Sequence, residues 1–220
     1  MTIDLFGFSI YEFAVSITDL LLFAESSLFA TILYQTQSSQ LLFRRLLVLL
    51  FLALAASSLF GAIFHAFFPL DTGTAGGFFV WMLVANSIGV IASTLWAINA
   101  LAFMGVRVFK ITLPLVAIYN ISFIYTVFFI DSEFETIILF YAPPLIVLAL
   151  VALTKSLRNW DFSWGGVFAG VILSFAAATA QYLKISPHSE YFDHNALYHL
   201  IQATSLAVLF LSFRAVLKGA

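Results

Sequence analysis

Long apolar stretches separated by short polar breaks make up nearly the whole chain. Seven of them reach the roughly 20 residues that a membrane-spanning helix needs. They run near residues 14–36, 43–68, 77–104, 109–130, 135–154, 163–183 and 193–217. The breaks carry turn formers or charges: Gln37-Ser38-Ser39, Pro69 to Gly76, Gly105 to Lys110, Asp131 to Glu135, Lys155 to Asp161 and Lys184 to Tyr191. The apolar runs far exceed the length of a barrel strand and do not alternate, so helices are expected rather than strands.

Composition strengthens this pattern. The 220 residues are 63% hydrophobic and 9% charged, against about 45–50% and 25% in ordinary globular chains. A water-soluble domain cannot hide that much apolar surface, so the bilayer is expected to be the solvent. Few residues lie outside the apolar runs, and residues 1–220 are expected to form one transmembrane domain. Nine scattered basic residues give no nucleic-acid footprint, and the absence of cysteine excludes thiol chemistry. The segment Met1 to Tyr11 carries Asp4 and no Lys or Arg, whereas a signal peptide begins basic. The first apolar helix is therefore expected to serve as the targeting signal.

Charge also orients the bundle. In a seven-helix arrangement, Arg44 and Arg45, Arg107 and Lys110, Lys155 and Arg158, and Arg214 and Lys218 all fall on one side. The other side holds Lys184 together with Asp4, Glu12, Asp71, Asp131, Glu133, Glu135 and Glu190. The positive-inside rule then predicts an all-α seven-helix bundle with its N-terminus outside and its C-terminus in the cytoplasm. Short loops fit an integral protein of a bacterial inner membrane. Pro143-Pro144 should kink the fifth apolar stretch. Gly166-x-x-x-Gly170 should admit a close helix neighbour. Trp81, Trp160, Trp164, Tyr11, Tyr141 and Tyr191 lie near helix ends and read as interfacial anchors.

Polar residues inside the apolar stretches are costly and are usually functional. His65, Asp19, Asp71, Asp193, His194, Asn195 and His199 come from distant parts of the chain yet fall in one outer layer. A deeper layer, roughly 15 Å in at 1.5 Å per helical residue, holds Glu25, Ser58 and Gln202. Asn195, His199 and Gln202 share a helix face, as do Ser58 and His65. Three histidines among carboxylates suggest a zinc centre held by His65, His199 and His194, with a carboxylate to take the proton. The competing reading is that these side chains, like Asn86, Asn99 and Asn120, join helices by hydrogen bonds. His188, in a loop beside Pro187, reads as solvated.

The run Asn195-Ala196-Leu197-Tyr198-His199-Leu200 and the segment Ser57 to His65 resemble two elements of the alkaline ceramidase and adiponectin receptor superfamily. That resemblance implies seven helices, a zinc ion on three histidines and hydrolysis of a lipid amide. It departs at Asn195, where the family has histidine and this chain has His194 one place earlier. It departs again at Gly61, where a serine is expected. Asp71 is the nearest candidate for the family's aspartate.

Two functions are therefore expected to compete. One is a zinc-dependent hydrolase of a membrane-lipid amide or ester. In it Asp71 or Asp19 acts as proton acceptor, Ser58 supports the developing oxyanion, and Glu25 orders the substrate cavity or a second cation. The other is a non-enzymatic lipid sensor or small proton-coupled transporter using Asp19, Glu25 and His65. A retinal photoreceptor is excluded, because the last helix has no lysine near its middle. If His65 and His199 come together in the fold, the hydrolase reading gains.

Overall fold

The computed structural model describes residues 2–5, 7–68, 73–188 and 191–219. A short hairpin comes first, β1 (Ile3–Leu5) and β2 (Phe8–Ile10), paired antiparallel. It turns at Gly7, whose φ of 84° suits a residue without a Cβ. The helices follow: α1 (Phe13–Gln35), α2 (Leu41–Phe67), α3 (Ala75–Phe129), α4 (Phe134–Asn159), α5 (Phe162–Tyr182) and α6 (His194–Lys218). Among the described residues these six helices are all long and apolar enough to cross a membrane. The protein is an all-helical membrane protein apart from the hairpin, which the apolar pattern did not predict.

The third and fourth apolar stretches differ from expectation. They run on within α3, with no separate loop between them. The one interruption is Gly105, at φ 78° and ψ −179°. An unbroken helix of 55 residues would be about 80 Å long at 1.5 Å per residue. Instead the chain doubles back. Asn120 Nδ2 donates to Ser93 Oγ at 2.9 Å, and the Trp81 indole donates to the Ser132 carbonyl at 2.8 Å. Phe123 packs so closely on Gly89 that an added Cβ would meet its ring at 2.6 Å.

Without a hydrophobic drive between helices in lipid, small residues and hydrogen bonds hold the bundle. At Gly170 an added Cβ would lie 2.7 Å from Leu209. Beside it Ser205 donates to the Gly170 carbonyl at 2.7 Å and shares a 2.7 Å bond with Ser174. The close approach expected at Gly166 and Gly170 is thus the α5–α6 seam. Phe29 stacks on Phe210 at 4.1 Å, with Phe51 edge-on to both, tying α1 and α2 to α6.

In α4, Pro144 has no N–H for the Phe140 carbonyl one turn back. The Tyr119 hydroxyl, from the second half of α3, donates to that carbonyl instead. Asn99 Nδ2 donates to the Pro144 carbonyl at 2.8 Å. Asn99 and Asn120 therefore join separate helical segments as expected, whereas Asn86 bonds only to Met82 of its own helix. Trp164 is corrected from interfacial anchor to core residue. It is buried against Phe43 and Phe213, while Trp160 is 84% exposed and fits the anchor role.

The two ends of the bundle differ in charge. Arg44, Arg45, Arg107, Lys110, Lys155, Arg158, Arg214 and Lys218 mark a basic end. The start of α1, the end of α2 and the start of α6 meet at the opposite, acidic end.

Candidate functional site

Three helices bring their polar residues together at the acidic end. The hairpin leads into α1 alongside the end of α2: Tyr11 N–H donates to the Ala66 carbonyl at 3.1 Å and Glu12 N–H to the His65 carbonyl at 3.2 Å. These bonds satisfy carbonyls that the helix end leaves open. They also set the Glu12 side chain beside His65, and Oε2 lies 2.5 Å from the ring Nδ1. The hydrogen bond from His65 holds the Glu12 carboxyl below its ordinary value of 4.5, against the opposing effect of burial. With Nδ1–H given to Glu12, Nε2 is the ring nitrogen of His65 left for another partner. It has no hydrogen-bond partner among the described residues.

His199 is buried on α6 and is held in the same way by a different group. Its Nδ1 lies 3.0 Å from Thr18 Oγ1. The Thr18 hydroxyl is itself bonded back to its own helix, 3.0 Å from the Ala14 carbonyl and 2.9 Å from the Val15 carbonyl. A hydroxyl has one proton. Spent on α1, it leaves Oγ1 to accept from His199 Nδ1–H. Nε2 of His199 is then unprotonated, and it faces Asp19 Oδ1 at 3.4 Å. Asp19 is also buried. The rings of His65 and His199 lie 6.3 Å apart, centroid to centroid.

Space for the Asp19 carboxylate comes from Gly61. A Cβ at that position would stand 2.7 Å from Asp19 Oδ2. The expected serine is thus absent where a carboxylate from α1 fills the volume, which gives the departure at Gly61 a steric reason.

The other candidates are placed differently. His194 opens α6 near enough to Glu12 for their charges to interact, and makes no hydrogen bond to the pair among the described residues. Asn195 accepts from Gln181 at 3.0 Å, and Gln202 donates to Ser174 at 3.3 Å, so both serve the α5–α6 seam. Ser58 makes no hydrogen bond to the cluster among the described residues. Glu25 lies six residues beyond Asp19, and its Oε2 is buried without a hydrogen-bond partner among the described residues. Asp71 lies outside the described residues. His188 sits exposed in its loop, with Nδ1 accepting from the Tyr191 N–H at 3.2 Å.

Two contributors escaped the sequence reading. Thr18 gives no signal, because a threonine in an apolar helix ordinarily bonds only to its own backbone. Glu12 had one: an acid at the start of α1 stands level with a histidine at the end of α2.

Among the described residues no group of three or more His, Asp or Glu side chains already stands as a metal-holding set. The donors are nonetheless of the right kind. Two ligands each about 2.0–2.2 Å from one tetrahedral zinc stand roughly 3.4 Å apart, the separation found between His199 Nε2 and Asp19 Oδ1. Both atoms are acceptors, so the pair calls for a proton or a cation between them.

A comparison with curated proteins finds no match. A family model described as a family of unknown function, DUF6962, matches residues 14–218. That match takes in every helix of the bundle and the whole acidic-end cluster beyond Glu12, and the chain belongs to this family.

Proposed function

We propose that the protein is a zinc-dependent membrane hydrolase that cleaves a lipid amide or ester. In this reading the bundle crosses the bilayer seven times, with its N-terminus outside and its C-terminus in the cytoplasm. Support for seven crossings is the reversal of α3 at Gly105, which makes each half a span of ordinary length. Support for the orientation is the basic end, which carries eight of the nine Lys and Arg residues. The short connections fit a bacterial inner membrane.

The observation that carries the hydrolase reading is the facing pair His199 Nε2 and Asp19 Oδ1. With His65 Nε2 they offer two imidazole nitrogens and one carboxylate oxygen, a donor set that suits zinc. His65, His199 and Asp19 take the ligand roles here, in place of the trio with His194. Glu12 and Thr18 each fix one histidine by its outer nitrogen, the arrangement that orients metal-binding histidines and raises their basicity. Bound zinc supplies Lewis acidity, polarising a carbonyl and making water a nucleophile at neutral pH. Asp19 Oδ2, on the Gly61 side, would be the carboxylate oxygen left to take a proton.

Elemental analysis of the purified protein beside a His199→Ala variant tests this. About one zinc per chain, as a mononuclear site requires, should be lost in the variant. A folded wild type that takes up no zinc when supplied with it would overturn the reading.

A second reading has its own observation. A single proton also closes the gap between His199 and Asp19, and no ready-made three-ligand set stands among the described residues. The protein would then be a proton-coupled transporter or lipid sensor. In that case proteoliposomes should show proton movement that Asp19→Asn abolishes.

A further inference from the structure

Two open cavities, about 420 and 440 Å³, lie at the basic end and away from the histidines. The larger lies where the ends of the helices meet. Its walls are apolar, from Leu101, Val106 and Val216, and Gln40 is also part of its lining. Lys155 and Trp164 also line it. The Lys155 ammonium stands 5.0 Å from the Trp164 ring centroid, within cation–π range. It makes no salt bridge among the described residues.

The charge around this cavity is one-sided. Eight Lys and Arg side chains mark the end, against one side-chain carboxylate, Asp161. Asp161 is committed locally as the cap of α5, accepting from the Ser163 N–H at 2.9 Å. Lys155 is therefore a cation without a carboxylate partner, set in a cavity with apolar walls.

We infer that the cavity lined by Lys155 and Trp164 binds the headgroup of one anionic phospholipid. The phosphate would meet the Lys155 ammonium, and the glycerol and first chain carbons would cover the walls formed by Leu101 and Val216. Basic pockets between helices on the cytoplasmic side suit such headgroups. A free phosphate would leave those walls uncovered. A zwitterionic lipid would bring its own cation against Lys155.

Native mass spectrometry of the full chain in mild detergent tests the site. Phosphatidylglycerol and phosphatidylcholine with the same chains would be added in turn, with inorganic phosphate as a further probe. Wild type should retain one phosphatidylglycerol, at least fivefold in preference to phosphatidylcholine. Lys155→Gln should remove that preference, while Arg158→Gln, which is outside the cavity lining, should keep it. Val216→Trp fills the cavity without changing any charge and should also lose the lipid. It carries the test if Lys155→Gln fails to melt as a folded protein. Equal retention of both lipids by wild type would overturn the inference. So would equal losses in Lys155→Gln and Arg158→Gln, or displacement of the lipid by inorganic phosphate.

Discussion

His199 Nε2 faces Asp19 Oδ1 at 3.4 Å inside the bundle, and one proton or one cation between them would satisfy both. The contact calls for one positive charge, a demand built by Thr18 on one side of the imidazole and by Gly61 behind the carboxylate.

Replacing Asp19 by Asn changes the sign of that demand. The amide N–H can donate to Nε2, a bond worth roughly 0.5–1.5 kcal/mol net. Metal-free Asp19→Asn should therefore melt higher than metal-free wild type, while its zinc content falls. A variant that melts lower and keeps zinc would contradict the unprotonated Nε2 and the ligand role together. Thermal melting and elemental analysis on the same samples decide it.

Gly61→Ala places a methyl where Asp19 Oδ2 lies, 2.7 Å from the new carbon. Overpacking of this kind costs about 1–3 kcal/mol, and the displaced carboxylate should lose its place beside His199. The expected outcome is a lower melting temperature together with weaker zinc retention. Unchanged zinc retention would show that Asp19 does not hold the ion.

Acid should weaken the link between α1 and α2. The Glu12 carboxyl is held below its ordinary value of 4.5 in the folded protein, first by the hydrogen bond from His65. A carboxyl shifted in that direction stabilises the fold fully above about pH 4.5, and the contribution fades as pH falls through the lower folded-state value. The melting-temperature gap between wild type and Glu12→Gln should thus be largest near neutrality and shrink as the pH falls below 4.5. A gap that widens in acid would rule out the pairing.

The proline break in α4 gives a prediction remote from the histidines. Tyr119→Phe strips the Phe140 carbonyl of its donor, at a cost of about 1–3 kcal/mol for a buried acceptor left alone. In a Pro144→Ala background the backbone N–H returns, and the same substitution should cost much less. A double-mutant cycle measures this difference directly. Additive effects would mean that Tyr119 does something other than replace the missing bond.

Much of the bundle was readable because bilayer thickness fixes the length of an apolar run. The stretch near 14–36 is α1, Phe13–Gln35, and the stretch near 193–217 is α6, His194–Lys218. The reversal within α3 was harder to place. It needs only the positive φ of Gly105, whereas the charges that suggested a loop, Arg107 and Lys110, lie on the helix beyond it. Trp164 was misread because nearness to a helix end does not say which way the ring faces. His65, His199 and Asp19 were found because ionisable groups stand out in an apolar chain. Thr18 and Gly61 were not, since a hydroxyl held by its own helix and a missing side chain look the same whether or not a carboxylate depends on them.

Residues 12 and 65 are joined twice and in opposite senses: the Glu12 amide donates to the His65 carbonyl, and the His65 ring donates to the Glu12 carboxylate. The leading hairpin is therefore a handle on the imidazole. A purification tag or fusion partner placed ahead of Ile3 pulls on the same few residues that aim His65, while one placed after Lys218 pulls on the far end of the bundle. Any comparison of metal content between preparations should fix the tag at the far end.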